Sequence, residues 1–410
     1  METIRSRVAG LDVHRDRVVA CARLDDGRKV RTIRESFSTM TIGVASLAAW
    51  LTTNEVTTVV MESTGVYWKS IYYGLEATIG ELWLVNAQHV KRVPGRKTDV
   101  SDAEWLADVA AHGMVRPSFV PPPTIRELRE LTRYRKTQVE MRTREIQRLE
   151  KVLQDAGIKL TSVASGTWSK SSKAMIEAMI AGESDPAVLA DMALSRMRPK
   201  KDALTQALTG TFGAHHGVVA RQIIDHIAFL DQSIAALSLD IARRLQPVDA
   251  VIEMLCDIPG WGRTTAEVFL AETGGDMSVF PTAGQLASWC GLAPGTHESA
   301  GKRRPSAAMS GNRWIGRALI ESAQAAARTK NTYFAAQHRR ITSRRGPHKA
   351  TVAVAHSMVV VAWHMLSTGE VYRELGGDYF VRRDDPERRA RRLSRQIEEL
   401  GFNVTIAPAA

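Results

Sequence analysis

The first 115 residues constrain the fold more than any other part of the chain, because the spacing of their apolar residues switches between strand and helix periods in a fixed order. Three β-type runs follow in close succession, RVAGLDV (7–13), RVVACARL (17–24) and KVRTIRESF (29–37), and Asp-Asp-Gly supplies the second turn. Runs so close together predict an antiparallel meander. TIGVASLAAWL then has helical spacing, TTVVMES (57–63) is a continuous apolar strand, VYWKSIYYGLEATI is helical and ELWLVN (81–86) is a strand. DAEWLADVAAHG closes the unit as a helix.

The order βββαβαβα has the layout of an RNase H-like sheet flanked by helices. At 410 residues the chain exceeds one compact core, and two or three domains are expected. After the break VPPPT (120–124), residues 125 to 154 run without Gly or Pro and set Leu128, Leu131, Ile146, Leu149 and Leu153 among many arginines, which predicts a long basic helix. From about 160 to 217 the pattern weakens into Ser- and Gly-rich pieces that support no assignment. Periodicity returns in VVARQIIDHIAFLDQSIAALSLDIARRL, where Ile223, Ile227, Leu230, Ile234, Leu237 and Ile241 step by four and three, a seam for helix pairing within or between chains. LCDIPGWGRTTAEVFLAE (255–272) reads as helix, tight turn and helix, with Gly260 and Gly262 in a turn whose amides could approach a phosphate. The expected class is therefore α/β plus α: a sheet domain at 1–118, long helices or a coiled coil at 124–248, a mainly helical domain with a helix-hairpin-helix-like element at 249–375, and a basic tail at 376–410. That tail carries seven arginines between Arg382 and Arg395.

Charge narrows the partners. Lys and Arg number 55 against 44 Asp and Glu, a net +11, which favours a polyanion such as nucleic acid. No run of about 18 uncharged apolar residues stands out, and METIRSRVAGLDVHRDR lacks a signal-peptide core. A cytoplasmic protein with no membrane partner is expected. Cys21, Cys256 and Cys290 form neither a CxxC pair nor a disulfide framework, and structural zinc is not expected.

Four acids stand out. In GRKTDVSDAEWLADV, Asp99 and Asp102 lie three residues apart at a helix start, where aspartate commonly caps a helix but where spacing also puts both carboxylates on one face. Asp12 sits inside the apolar strand GLDV, and an acid there is costly unless something cationic compensates it. Glu62 ends TTVVMES. In an RNase H-like sheet the first and fourth strands are neighbours, and their acid-bearing ends face the start of the last helix. Four carboxylates brought together repel one another unless divalent cations lie between them. Oxygen donors of this kind select Mg²⁺ or Mn²⁺, and two such ions about 4 Å apart suit phosphodiester chemistry.

The strings GLDV, ESTGVYW and KTDVSDAEWLA, with the acids in the order D, E, D, D, resemble the RuvC-like DEDD transposases of the insertion-sequence one-ten family, the bridge-RNA-guided recombinases. ASWCGLAPGTHESAGKRRPSAAMSGNRWIGRALIESA is similar to the C-terminal signature of that family. The resemblance implies metal ions on Asp12, Glu62, Asp99 and Asp102, and Ser299 in HESAGKRR as nucleophile. A serine hydroxyl needs activation, which the metal site of this chain or of another subunit would supply. Lys302, Arg303, Arg304 and Arg313 would then grip the DNA backbone, while His297 is a candidate base and Tyr67 and Trp68 are candidates for base stacking. The resemblance also implies donor and target DNA, a structured noncoding bridge RNA, a dimeric or tetrameric assembly, and work on nucleoid DNA. Two other readings use the same residues differently: a junction-resolving nuclease without serine chemistry, and a nucleic-acid-binding protein whose acids are structural.

Overall fold

The computed structural model describes residues 3–63, 65–93, 101–295, 298–299, 302–303, 311–383 and 386–405. The chain forms two units, Met1–Val120 and Pro121–Ala410.

In the first unit, β1 (Arg7–Val13), β2 (Arg17–Asp25) and β3 (Val30–Ser38) form the antiparallel meander, followed by α1 (Thr41–Thr53), β4 (Thr58–Glu62), α2 (Trp68–Leu75), β5 (Glu81–Val85), a short α3 (Ala87–Arg92) and α4 (Asp102–Ala111). The sheet order is β3-β2-β1-β4-β5, and β1, β4 and β5 run parallel. The continuous apolar character of β4 follows from burial on both faces. On one face Ala9, Leu11, Val59 and Met61 pack with Leu47 and Leu51 of α1 and Ile71 and Leu75 of α2. On the other, Val8, Val60 and Val85 meet Trp105, Leu106 and Val109 of α4. Helix α3 is an element that the sequence reading lacks; its six residues are too few to show a helical period.

Among the described residues, the regular structure of the second unit is helical apart from a short ribbon. Helix α5 (Pro123–Asp155) is the long basic helix expected after the proline run. α6 (Lys170–Ile180), α7 (Pro186–Asp191) and α8 (Lys201–Leu208) precede the 32-residue α9 (Ala214–Leu245). Glu127 pairs with Arg244 at 2.8 Å, Arg142 with Asp231, and Asp155 with His216 at 3.2 Å, so α5 and α9 run antiparallel within one chain. Ile223, Ile227, Leu230 and Ile241 of the expected seam are buried there, with Ile234 and Leu237 partly covered. The stretch from 160 to 217 packs α6 to α8 around the hairpin tip, burying Met175, Ile176, Leu189 and Leu204 against Leu149, Leu153 and Ile227. Each of these helices is short and borrows its core from α5 and α9, which is why no period shows in the sequence.

The rest comprises α10 (Asp249–Cys256), α11 (Arg263–Thr273), α12 (Ala283–Trp289), a ribbon of β6 (Glu298–Ser299) and β7 (Lys302–Arg303), α13 (Arg313–Arg328), α14 (Tyr333–Arg345) and α15 (Pro347–Thr368). Helix α16 (Tyr379–Arg382) and helix α17 (Pro386–Glu398) complete the chain, and α17 carries part of the arginine tail. Helix α15 corrects one expectation, because it is long and apolar enough to cross a membrane by length and composition. In the fold it is the central helix of this bundle: Val354, Met358, Val359 and Ala362 are buried, and the Trp363 indole N–H donates to the Phe280 carbonyl at 2.7 Å.

Candidate active site

Sheet register brings Asp12 and Glu62 together. The parallel ladder pairs Gly10 with Val60 and Leu11 with Met61, so the next residues, Asp12 and Glu62, stand side by side at the carboxyl ends of neighbouring strands. Side chains alternate along a strand. Asp12 therefore shares the face of Val8 and Gly10, and Glu62 shares that of Val60, which is the face covered by α4.

Helix α4 runs antiparallel to β1. Its last carbonyl, on Ala111, accepts the amides of Ile4 and Arg5 just before the strand begins, while Ala103 and Ala107 lie across Gly10. Asp102, the first residue of α4, is thus carried to the strand end that bears Asp12 and Glu62. The backbone thus carries three acids from three remote segments to one end of the sheet. Asp99 lies outside the described residues.

Asp102 does not cap this helix. Ser101 is the N-cap, its hydroxyl accepting the Glu104 amide at 3.4 Å, and Asp102 occupies the first turn, where its charge complements the helix dipole. Other acids of α4 are held by arginines on the sheet: Glu104 by Arg34, and Asp108 by Arg23 at 3.4 Å. These pairs face β2 and β3 and fix the helix from the side away from β4.

His14 is a site residue that motif reading misses. Its Nε2 lies 3.1 Å from Asp12 Oδ2, on a carboxylate that is 29% exposed. The signal was present in the sequence, since in LDVH the residue two beyond Asp12 leaves the strand on the same side. Cys21, opposite Gly10 on β2, is buried; desolvation, reinforced by the Glu104 charge, pushes its thiol up to about 11. The thiol is therefore protonated at neutral pH in the metal-free protein. The carboxylates at the strand ends are oxygen donors, which fit a hard divalent cation, and the His14 imidazole stands beside one of them.

Gly10 sets the closeness of α4. A Cβ at this position would fall 2.0 Å from the Ala103 carbonyl oxygen and 2.7 Å from the Ala107 nitrogen. Both are backbone atoms that cannot rotate away. Gly10→Ala is expected to lift α4 and its Asp102 from the sheet, lowering stability by about 1–3 kcal/mol through overpacking and reducing cleavage more than the loss of fold explains. Thermal melts beside DNA-nicking rates check this; nicking that falls only in proportion to the folded fraction refutes it.

The second candidate region follows α12. Ser299 lies in β6 and pairs across the ribbon with Lys302 in β7, while Glu298 pairs with Arg303. The serine is thus on a hairpin strand, not in an irregular loop. His297 and Arg304 lie outside the described residues. Where the chain enters α13, Asn312 caps the helix through the amides of Trp314 and Ile315 at 3.0 and 3.4 Å, and its own amide donates to the Trp289 carbonyl. Arg313 is exposed, with its guanidinium 5.1 Å from the centre of the Trp314 ring.

Beneath this entry lies a buried carboxylate. Glu272, at the end of α11, is 0% exposed and accepts two bonds from Arg133 at 2.7 and 2.8 Å, with Arg129 at 3.2 Å and the Asn312 amide at 2.6 Å. One side chain therefore ties α5, α11 and the start of α13. Its clue in the sequence was an acid inside the apolar helix run AEVFLAET.

Gly260 and Gly262 take different roles. Gly260 has φ +89°, and an added Cβ would lie 2.4 Å from the Ser322 carbonyl oxygen, so it serves close packing of the turn on α13. Gly262 is the exposed N-cap of α11 and has open space around it. Tyr67 is exposed, whereas Trp68 packs edge-on to Tyr72 and Tyr73 and against the sheet core.

Asp155, His215 and His216 also approach one another, with ligand atoms within 4.8 Å. The His216 ring already closes the start of α9: Nδ1 accepts the Gly213 amide at 3.0 Å and Nε2 faces Asp155 at 3.2 Å. With the tautomer assigned from these bonds, Nε2 carries the proton and donates it, so this ring has no lone pair for a metal.

Comparison with known proteins agrees with this layout. A family model for DEDD transposases of the IS110 type matches residues 9–158, and a second, described as transposase IS116/IS110/IS902 family, matches 252–339. The chain is 25% identical over 376 residues to the transposase for insertion sequence element IS1111A of Coxiella burnetii, covering 90% of this chain and 91% of that protein. It is 29% identical over 342 residues to the insertion element IS900 uncharacterized 42 kDa protein of Mycobacterium paratuberculosis, covering 73% and 82%. The first model spans Asp12, Glu62 and Asp102 and the second spans Glu272, Ser299 and Asn312, and the chain belongs to the IS116/IS110/IS902 family of DEDD DNA transposases.

Proposed function

We propose that this transposase cleaves and exchanges DNA strands with a divalent-metal DEDD site and a serine nucleophile, Ser299, under the guidance of a noncoding bridge RNA. The observation that supports the reading is that register sets Asp12 and Glu62 level at the ends of β1 and β4, with Asp102 at the start of α4, the helix laid over that face. Sheet order and the antiparallel meander support an RNase H-like, RuvC-like assignment of residues 1–118. In the same reading the second unit divides into helical residues 124–248, a transposase domain at 249–375 and a basic tail at 376–410.

Asp12, Glu62, Asp99 and Asp102 would hold Mg²⁺, with Mn²⁺ as a substitute and two ions as the expected complement. When bound, such ions activate a nucleophile and stabilise a departing oxygen. The chain's own residues do the positioning. Arg34 and Arg23 hold α4 on the sheet, and the Gly10 contact sets Asp102 at its depth. At the other site Ser299 Oγ would bond to phosphorus as the P–O bond to the departing strand breaks, that strand leaving as a hydroxyl. Return attack by a hydroxyl of the partner strand would then free the serine and complete exchange. Lys302, Arg303, Arg304 and Arg313 would hold phosphates around the hairpin, with Gly262 at the open start of α11 as a further backbone contact. The basic helix α5 and the tail offer surfaces for RNA, and the active form would be a homo-oligomer working on nucleoid DNA in the cytoplasm.

A covalent trap tests the serine. Wild-type protein incubated with a nicked suicide substrate and Mg²⁺ should yield a protein–DNA adduct that maps to Ser299, and Ser299→Ala should lose both adduct and strand exchange. Cleavage by Ser299→Ala at the wild-type rate, with no adduct in either protein, would instead identify a hydrolytic nuclease.

A further inference from the structure

The corner between α14 and α15 concentrates positive charge that the fold does not use. From residue 322 to 369 the chain has no Asp or Glu, yet it carries Arg328, Lys330, Arg339, Arg340, Arg344, Arg345 and Lys349. Arg339, Arg340, Arg344 and Arg345 on the last turns of α14 and Lys349 on the first turn of α15 are all exposed. Among the described residues, Arg339, Arg344, Arg345 and Lys349 take part in no ion pair. Arg340 rests on the Phe380 ring, 4.8 Å from its centre.

Helix electrostatics account for only part of this. Arg344 and Arg345 lie where the α14 dipole favours cations. Lys349 lies in the first turn of α15, where the dipole disfavours one and no acid is present to offset it. Arg340 and Arg344 are four residues apart on one helix face, a like-charge spacing that weakens a helix. The isolated fold is thus destabilised by a cluster whose natural complement is a line of negative charges.

We propose that the α14–α15 corner is a sequence-independent docking surface for duplex DNA, gripping the flank of the substrate by its phosphates. Duplex DNA is the polyanion this family acts on, so the proposal rests on the family assignment and not on the serine or the metal site. All of the corner but Arg339 lies beyond the span of the second family model, and it is separate from the cations around the serine hairpin. Its side chains are positive charges on long flexible stems, the kind that supplies many of the contacts to phosphate oxygens. The stacked Tyr333 and Phe380 rings, 5.2 Å apart, hold α16 to the start of α14, so the arginine tail leaves from the same bundle.

The test compares full-length wild type with the quadruple variant Arg339→Gln, Arg344→Gln, Arg345→Gln, Lys349→Gln, by fluorescence anisotropy on a labelled duplex of unrelated sequence. Each phosphate contact contributes about 0.9 to the slope of log affinity against log salt, so the slope should fall by about three to four between roughly 50 and 200 mM salt. Affinity should drop alike for unrelated duplexes and fall less for a single-stranded RNA of equal length, whose slope per contact is about 0.7. The charge-preserving variant Arg339→Lys, Arg344→Lys, Arg345→Lys should retain the wild-type slope. An unchanged duplex slope overturns the proposal, and a loss confined to RNA overturns it by assigning the corner to RNA. If the quadruple variant does not melt like wild type, Lys349→Gln alone decides, with an expected fall of about 0.9 in slope and refutation by no change.

Discussion

Asp12→Asn is expected to abolish DNA strand cleavage while leaving the melting curve at or slightly above that of wild type. The substitution keeps the size of the side chain and a hydrogen-bonding oxygen for His14, and it removes one charge from a place where register and the α4 start gather three. Without metal, that removal relieves any repulsion among the acids and costs the fold only the charge of the contact with His14. With metal, it removes a donor from the centre of the set. Metal ions contribute several kcal/mol to transition-state stabilisation, and at 1.36 kcal/mol per factor of ten the expected loss is about a thousandfold or more. Nicking of a supercoiled substrate in Mg²⁺ measures the rate, and calorimetric titration with Mn²⁺ should show at least about a tenfold weaker site. Cleavage within threefold of wild type would show that these acids are structural. A stability loss as large as the activity loss would show that Asp12 is held in the fold by a partner it needs.

Much of the sheet that carries these acids was legible in the sequence, and for a specific reason. Apolar runs with period two, short turns and a continuous buried strand are local signals, and β1, β2, β3, β4 and β5 appear within a residue or two of where those signals put them. Once β1 and β4 are neighbours, Asp12 and Glu62 must be level, because parallel register follows from matching their apolar residues. The depth of α4 was not legible. Gly10 is an unremarkable glycine in a strand until a helix backbone is found against it, and Ser101 precedes Asp102 as one of several residues able to cap.

Tertiary packing hid the rest. Helices α6 to α8 take their core from the tip of the α5–α9 hairpin, so their own sequences lack a clear period. Gly260 stands in a turn that suggests phosphate approach, yet its φ and its contact with Ser322 belong to helix packing. Helix α15 carries an uncharged stretch that resembles a membrane span in composition because it is the central helix of a bundle. Glu272 and its arginines come from segments about 140 residues apart in sequence, a separation at which no spacing rule operates.

That separation makes Glu272 the most informative position in the second unit. Glu272→Ala should lower stability by about 3–5 kcal/mol, the range for breaking a buried ion pair by removing one partner. Arg133 would lose both of its bonds, Arg129 its carboxylate, and the Asn312 side chain the acceptor that orients its cap. For a unit this large each kcal/mol shifts the melting temperature by about 2–4 °C, so a fall of about 6 °C or more is expected. Glu272→Gln distinguishes packing from positioning. It retains one acceptor oxygen while placing an amide against the guanidinium fork or the Asn312 N–H, so it should recover part of the stability. Strand exchange should remain depressed, because the Asn312 side chain, oriented by Glu272, caps the start of α13, the helix that follows the serine ribbon. The melts and exchange rates of the two variants, with Asn312→Ala as the companion, separate the effects. If exchange by Glu272→Gln follows folded fraction alone, the carboxylate only holds helices together; if Asn312→Ala loses exchange at near-native stability, the side-chain cap acts on the serine ribbon.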